Sequence, residues 1–251
     1  MFKRTLLTLV ASALFLGLAV GVEILVAVRR DYLPTEPVLD IGGTYGDEDA
    51  ETLRFTVLGD STAAGVGAGD AEHAYPTLLA ERLSALGYRV ELRSHAVSGA
   101  RVASMLDEQV PRAVEDRPDL VFVGIGANDV THVTSLGEIE NDMEAAIGKL
   151  RATGAAIVVA GAPDMRAAAF LEPLRSVAGW RGRRVADAVA EAARAIDVPV
   201  VPLAEETGPF FGEDPERHYS ADLFHPSAAG YARWATAIYP YLEDALRGAR
   251  S

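Results

Sequence analysis

The alternation of short apolar runs with longer amphipathic stretches, which starts at Leu53, constrains the fold of this chain more than any other feature. The apolar runs predict strands at 53–58, 88–94, 120–125, 155–160 and 198–202. The amphipathic stretches predict helices at 75–86, 100–115, 136–152, 181–196 and 227–247. Runs such as Leu120-Val121-Phe122-Val123 are apolar on both faces, as in a sheet that is covered on both sides. The pattern therefore predicts an α/β domain with a parallel sheet, whose functional loops lie at the carboxyl ends of the strands.

An apolar segment, 5–28, precedes this domain and contains one charged residue, Glu23. As a helix it is about 36 Å long, enough to cross a hydrocarbon core of about 30 Å. We interpret 1–30 as a signal anchor that spans the membrane. The alternatives are a cleaved signal peptide, which would make the protein secreted, and a buried helix. Glu23 fits a membrane span only near an interface, because a carboxylate in lipid costs roughly 3 kcal/mol.

The orientation of this anchor does not follow from its flanks, because basic residues stand on both sides of it: Lys3 and Arg4 before, Arg29 and Arg30 after. By analogy with other domains that follow an N-terminal anchor, we expect the folded domain outside the cytoplasm.

Residues 31–52 are interpreted as a hydrated linker between the anchor and a domain at 53–251. Prolines and glycines break any periodicity there, and the acidic run 47–51 favours solvation. The chain has no cysteine, which excludes disulfides, thiolate metal sites and a cysteine nucleophile. Residues 31–251 carry 19 basic and 35 acidic side chains, a net charge of −16, so we expect no nucleic acid as a partner.

The first of four short motifs, Gly59-Asp60-Ser61, directly follows the first predicted strand. A serine at this edge can expose its hydroxyl as a nucleophile and place its own amide beside the attacked carbonyl. A helix-capping serine is the alternative. The glycines at 65, 67 and 69 do not have the spacing of a nucleotide-binding loop. The G-x-S-x-G elbow of ordinary α/β-hydrolases is also absent around Ser98.

Two further motifs supply candidate donors for a developing oxyanion. Gly99 follows the second predicted strand, where a glycine lets a backbone amide approach a substrate oxygen closely; a plain turn glycine is the alternative. Asn128 follows the third strand and can donate its side-chain amide, which typically lowers a barrier by about 3 kcal/mol; an Asn-Asp turn is the alternative. We interpret Asp129 as a structural cap for the segment that follows it.

The fourth motif, Asp222-Leu223-Phe224-His225, lies just before the last predicted helix. The spacing lets the carboxylate accept from one imidazole nitrogen while the other nitrogen faces a serine. A metal site is a weaker interpretation, because among the histidines only His218 lies nearby in sequence. The other four histidines, His73, His95, His132 and His218, are interpreted as polar or surface residues. Of these, His95 and His132 lie near the second and third motifs and could line the site.

The four motifs, in this order, resemble those of the SGNH hydrolases, the GDSL esterase/lipase family, over about 53–248. Thr62 stands where the name-giving motif has leucine, and His95 where an asparagine is often found. The resemblance implies a flavodoxin-like three-layer α/β/α sandwich with five parallel strands in the order 2-1-3-4-5. It implies no metal or organic cofactor.

The same resemblance assigns roles to the candidate residues. It implies Ser61 as the nucleophile, His225 as the general base and Asp222 as the residue that orients it. It implies an oxyanion hole formed by the Ser61 amide, the Gly99 amide and the Asn128 side chain.

We therefore expect a serine esterase or lipase that works through an acyl-enzyme, with a lipid ester or an acylated glycan as substrate. An acyltransferase that passes the acyl group to a sugar or lipid hydroxyl is the alternative, and a tethered, non-catalytic binding module is a third hypothesis. We expect a monomer, with activity that declines below about pH 6.5, where histidine ordinarily becomes protonated. The apolar side chains of 167–180 (Phe170, Leu171, Leu174 and Trp180), with Phe210 and Phe211, could line an acyl pocket or simply pack under a loop.

Overall fold

A computed structural model describes residues 2–249 of the chain. Within these residues, six strands form one sheet: β1 (Gly42–Tyr45), β2 (Glu51–Gly59), β3 (Tyr88–Ser94), β4 (Leu120–Gly124), β5 (Ala156–Ala160) and β6 (Val200–Val201). Their order across the sheet is β1-β3-β2-β4-β5-β6. The strands β2 to β6 run parallel, and their order is the one that the resemblance implied for five strands.

Strand β1 corrects the expected five-stranded, all-parallel sheet. It lies inside 31–52, the segment expected to be a hydrated linker, and it pairs antiparallel with β3, with Gly42 opposite Arg93. Ile41, just before it, is only 7% exposed and belongs to the hydrophobic core. A four-residue strand with two glycines carries no alternation for a pattern to detect. The sheet is therefore mixed, and part of the expected linker belongs to the folded domain.

Ten helices lie in residues 2–249, and those after the first cover both faces of the sheet. The ten helices are α1 (Phe2–Arg29), α2 (Tyr75–Ser84), α3 (Val102–Ser104), α4 (Val110–Asp116), α5 (Ala127–Thr131), α6 (Leu136–Arg151), α7 (Leu174–Arg194), α8 (Leu203–Glu213), α9 (Pro215–His218) and α10 (Ala228–Ala249). A π-helical turn, Met105–Gln109, joins α3 to α4. Helices α2 and α10 pack together against the sheet, and α4, α6 and α7 form the second layer.

The apolar patterns of the sequence correspond to the observed core. Leu120 to Val123 of β4 are buried, as expected for a strand covered on both faces. The buried side of α6 has the predicted three-to-four spacing, with Ile139, Met143, Ala146, Ile147 and Leu150. Burial of both sheet faces leaves the carboxyl ends of the parallel strands as the place where polar loops converge.

Helix α1 lies outside this core. Its span Thr5–Arg29 is long and apolar enough to cross a membrane, with 25 residues and a mean hydropathy of 2.4. A signal sequence has the same properties, so the helix agrees with both leading interpretations of the N-terminus. Its large apolar side chains are exposed, Leu7 to 75% and Phe15 to 74%. Near its end, α1 contacts α7.

Candidate active site

Ser61 lies in the tight turn that follows β2. The buried Asp60 shapes this turn, because its Oδ1 accepts hydrogen bonds from the backbone amide of Thr62 (3.0 Å) and from the Thr62 hydroxyl (2.8 Å). Gly59, the last residue of β2, has to be glycine, since a Cβ there would meet the carbonyl of Gly124 on β4. The turn therefore brings Ser61 out at the carboxyl edge of the sheet.

Ser61, His225 and Asp222 form a continuous hydrogen-bonded relay. His225 Nε2 lies 3.1 Å from Ser61 Oγ, across 164 positions of sequence. His225 Nδ1 lies 2.7 Å from Asp222 Oδ2. Because the carboxylate accepts a hydrogen from Nδ1, the neutral ring presents its Nε2 lone pair to the serine hydroxyl. The arrangement can therefore take a proton from Ser61 as its oxygen attacks a carbonyl.

Asp222 accepts hydrogen bonds at both carboxylate oxygens. Its Oδ1 accepts from the backbone amides of Phe224 and His225, each at 2.9 Å, and from the Ser220 hydroxyl at 3.2 Å. Its Oδ2 accepts from the Leu33 amide at 3.2 Å as well as from the imidazole. Burial raises the pKa of Asp222, but the hydrogen bonds from His225, Phe224 and Leu33 outweigh burial and hold this pKa well below its usual range. The carboxylate therefore stays ionised beside the histidine.

Gly99 and Asn128 are held together beside this relay. The Asn128 side-chain amide donates to the Ala100 carbonyl at 3.0 Å, and the Val97 amide donates to the Gly59 carbonyl at 3.2 Å. Gly99 has φ +83°, a left-handed conformation that favours glycine. No neighbouring atom lies within 4 Å of the point where a Cβ would be. The Asn128 amide has two hydrogens, so one bond to Ala100 fixes the group and leaves a second hydrogen to donate.

Asp129 is structural, but it caps a different segment from the one expected. Its Oδ2 accepts from the amide of Val102, the first residue of α3, at 3.1 Å. The side chain is fully buried, and burial raises its pKa. Asp129 thus ties the loop of the third motif to the loop of the second, which contains Gly99.

Gln109 supports the site, and the sequence analysis did not single it out. The side chain is 1% exposed and lies in the π-helical turn. Its Oε1 accepts from the Gly59 amide and its Nε2 donates to the Gly59 carbonyl, both at 2.9 Å. This two-way bond fixes the end of β2, two residues before Ser61. A glutamine on an amphipathic stretch gives no sequence signal for a contact of this kind.

A small cavity of about 40 Å³ opens beside Ser61, Asn128 and His225. Its apolar walls come from Met165, Ala167, Phe211, Phe224 and Trp234, and its polar walls include Asp164, Thr207 and Tyr219. Of the apolar candidates from the sequence, Phe211 therefore lines the cavity.

Other candidates from the sequence lie elsewhere. Phe170 is buried and packs against Phe224, with ring centroids 5.7 Å apart, and Trp180 is 54% exposed. His95 pairs with Asp116, at 2.6 Å from Nε2 to Oδ2. His132 is exposed, and its Nδ1 lies 2.8 Å from the Asn128 carbonyl.

The α/β/α layering and the convergence of the four motifs at one edge of the sheet are those of the SGNH hydrolases. A lipase/acylhydrolase from Enterococcus faecalis has the same fold, with a TM-score of 0.62, 20% identity and coverage of 76% of this chain and 96% of that one. The sequence profile of the GDSL-like lipase/acylhydrolase family matches residues 57–233.

Two relatives have been named as esterases. The GDSL-like esterase Rv1075c of Mycobacterium tuberculosis is 36% identical over 199 residues, which cover 77% of this chain but only 63% of that protein. Esterase TesA of Pseudomonas aeruginosa is 27% identical over 201 residues, which cover 79% of this chain and 92% of that protein. The chain belongs to the GDSL-like lipase/acylhydrolase family.

Proposed function

We propose that this protein hydrolyses carboxylic esters through a covalent acyl-enzyme on Ser61. The relay from Ser61 through His225 to Asp222, with contacts of 3.1 and 2.7 Å, carries this proposal. Family membership and the names of the two relatives support it.

In the first half-reaction, Ser61 Oγ attacks the ester carbonyl while His225 Nε2 takes the hydroxyl proton. The tetrahedral intermediate then expels the alcohol, which leaves with that proton from His225. In the second half-reaction, His225 takes a proton from water, the water oxygen attacks the acyl carbon, and the acid leaves as Ser61 regains its proton. The ionised Asp222 stabilises the imidazolium that forms in each half-reaction.

The negative charge of each tetrahedral intermediate requires donors that are already in place. We assign this role to the Ser61 amide, the Gly99 amide and the Asn128 side chain. The bond from Asn128 to the Ala100 carbonyl supports the assignment, because a donor that is fixed before the reaction has little reorganisation to make in the transition state.

The cavity beside Ser61 favours a short acyl group. Its volume is only about 40 Å³. Phe211, Phe224 and Trp234 surround this space and are anchored by ring contacts with their neighbours. We therefore expect acetyl and other short esters to be hydrolysed faster than long-chain esters.

The test combines labelling of the nucleophile with a panel of esters. A fluorophosphonate probe should label the full chain in detergent, and Ser61→Ala should abolish both labelling and hydrolysis of p-nitrophenyl acetate. Ser176→Ala is the matched control, because Ser176 is an exposed serine on α7; it should label like the wild type. Labelling of folded Ser61→Ala at the wild-type rate would refute the assignment. Adding alcohol acceptors to the same reaction would reveal ester products if the acyl group were transferred rather than hydrolysed.

We also propose that residues 1–30 anchor the protein, with 5–28 in the membrane and the catalytic domain, as a monomer, outside the cytoplasm. The length and hydropathy of Thr5–Arg29 support this location. Protease added to intact cells should digest the domain, and alkaline washing of membranes should not release it.

A further inference from the structure

The segment that follows α1, residues 30–33, lies against the candidate active site. The Leu33 amide donates to Asp222 Oδ2 at 3.2 Å. The Tyr32 ring contacts the Phe224 ring edge to face, with centroids 5.3 Å apart. The Arg30 guanidinium donates to the Ala169 carbonyl at 3.3 Å. Three contacts from four consecutive residues therefore fix the point where α1 ends beside the catalytic carboxylate.

A fourth contact extends this attachment into α1 itself. Glu23 Oε2 accepts a hydrogen bond from the amide of Leu174, the first residue of α7, at 2.9 Å. Glu23 lies six residues before Arg29, or about 9 Å along the helix axis. If α1 spans a bilayer up to Arg29, the start of α7 therefore lies at the depth of the lipid headgroups and the first acyl carbons. The same contact gives Glu23 a donor, which a carboxylate near lipid needs.

The surface next to this contact carries large apolar side chains with no cover. Leu171 is 65% exposed, Val177 44% and Trp180 54%; we call these three residues the apolar rim. The Arg184 guanidinium lies 5.9 Å from the centre of the Trp180 ring. Exposed tryptophan together with arginine is typical of a membrane–water interface.

The charge of this surface also differs from that of the rest of the domain. Residues 171–184, which contain the apolar rim, have four arginines and one acidic residue, Glu172, whereas residues 31–251 have a net charge of −16. Arg183 and Arg184 are exposed. A local basic surface on an acidic protein complements anionic lipid headgroups and would otherwise be out of place.

We propose that the apolar rim inserts into the bilayer beside α1, so that the active-site mouth opens at the membrane surface. The substrate is then an ester whose alcohol part resides in the membrane, with its short acyl group in the cavity beside Ser61. This inference rests on the proposed ester hydrolysis and on the proposed membrane span. Ser61 Oγ forms the new bond to the acyl carbon, the ester C–O bond breaks, and the alcohol takes the Ser61 proton through His225 and stays in the bilayer. Water then cleaves the bond between the acyl carbon and Ser61 Oγ, and the acid leaves into water.

Tryptophan fluorescence tests the insertion without any catalysis. The chain has two tryptophans, and Trp234 is only 5% exposed. The full chain is reconstituted in vesicles of phosphatidylcholine and phosphatidylglycerol, with bromine on shallow acyl carbons of the phosphatidylcholine. We expect quenching that Trp180→Phe removes and Trp234→Phe retains. Equal emission in brominated and plain vesicles would overturn the insertion. Protection of Trp180 from aqueous iodide without bromolipid quenching would also overturn it, and would indicate that a second copy of this chain covers the residue.

A kinetic comparison tests the substrate class. Hexadecyl acetate in the vesicles and p-nitrophenyl acetate in water carry the same acyl group and give the same acyl-enzyme. The double variant Leu171→Ser, Val177→Ser should hydrolyse the vesicle ester at least about threefold more slowly, because apolar area is lost from the inserted surface, and should hydrolyse the aqueous ester at the wild-type rate. Val114→Ser is the matched control, since Val114 is 37% exposed on α4, far from the rim in sequence; it should leave both rates unchanged.

The possible outcomes separate this inference from the proposed function. Equal rates of the double variant and the wild type on both esters would overturn the delivery of substrate from the membrane while leaving ester hydrolysis intact. Failure of the wild type to hydrolyse either ester would refute the proposed function, and with it the substrate class, whereas the quenching result would still decide the insertion.

Discussion

Replacing Gln109 by methionine should destabilise the fold and slow acylation of Ser61 together. Methionine has nearly the same length and volume as glutamine, so the cavity left behind is small. What disappears is the pair of 2.9 Å hydrogen bonds with the Gly59 amide and carbonyl. Both groups lie at the buried end of β2, where water cannot replace the lost partner.

The expected cost follows from what each Gly59 group retains. The amide loses the buried glutamine oxygen, and an unsatisfied buried donor costs about 1–3 kcal/mol. The carbonyl still accepts from the Val97 amide at 3.2 Å, so its loss is smaller. Together we expect a decrease of about 2–4 kcal/mol in the free energy of unfolding. Because Ser61 is two residues further on, we also expect about a tenfold decrease in kcat for short esters.

Urea unfolding of the full chain in detergent, followed by circular dichroism, measures the first effect, and p-nitrophenyl acetate hydrolysis measures the second. Glu108→Met is the matched control, because Glu108 is the exposed neighbour of Gln109 in the same turn. It should change stability by less than about 0.5 kcal/mol. The reasoning would be contradicted if the free energy of unfolding of Gln109→Met lay within about 0.5 kcal/mol of the wild-type value. It would also be contradicted if Glu108→Met lost as much unfolding free energy as Gln109→Met.

Three further predictions concern the site. Asp222→Asn should fold and should lower kcat by a thousandfold or more, on the order of the effect of misorienting a triad histidine; steady-state kinetics at pH 7 would show it, and a loss below tenfold would remove Asp222 from the relay. Asn128→Ala should lower kcat by about a hundredfold with little change in KM, and an unchanged kcat would exclude Asn128 as an oxyanion donor. The pKa of Asp222 is lower in the folded chain than in the unfolded chain. The ionised Asp222 therefore contributes fully to the free energy of unfolding above the ordinary carboxyl pKa of about 3.9, and this contribution is lost as the pH falls toward the pKa of the folded state. Between about pH 5 and pH 3, the wild type should therefore lose more unfolding free energy than Asp222→Asn, and equal slopes would show that Asp222 is not held ionised by its donors.

The parallel core of the fold could be predicted from sequence because its signals are local. A run such as Leu120 to Val123 identifies a buried strand by itself, and the resemblance of the four motifs supplied the strand order. The convergence of Ser61 and His225 was predictable for the same reason, since each residue directly adjoins a recognisable strand or helix.

Contacts between a side chain and a distant backbone leave no such pattern. Gln109 bonds to Gly59 across 50 positions, and neither residue type at that spacing is informative. The edge strand β1 was missed because two of its four residues are glycines. The predicted helix at 100–115 is helical over 102–116, but sequence periodicity did not reveal the π-helical turn at Met105–Gln109, which carries Gln109 inward.

The N-terminal segment shows why such non-local contacts matter for the chemistry. Asp222 receives two backbone hydrogen bonds from its own loop. The bond from Leu33 is different, because its donor lies 189 positions away and immediately after the apolar helix. The ionisation of Asp222, which bonds to His225 Nδ1, therefore depends in part on where α1 ends. Residues 31–33 look like a passive spacer by composition, but they contact the candidate site, and through Leu33 the end of α1 is coupled to the relay.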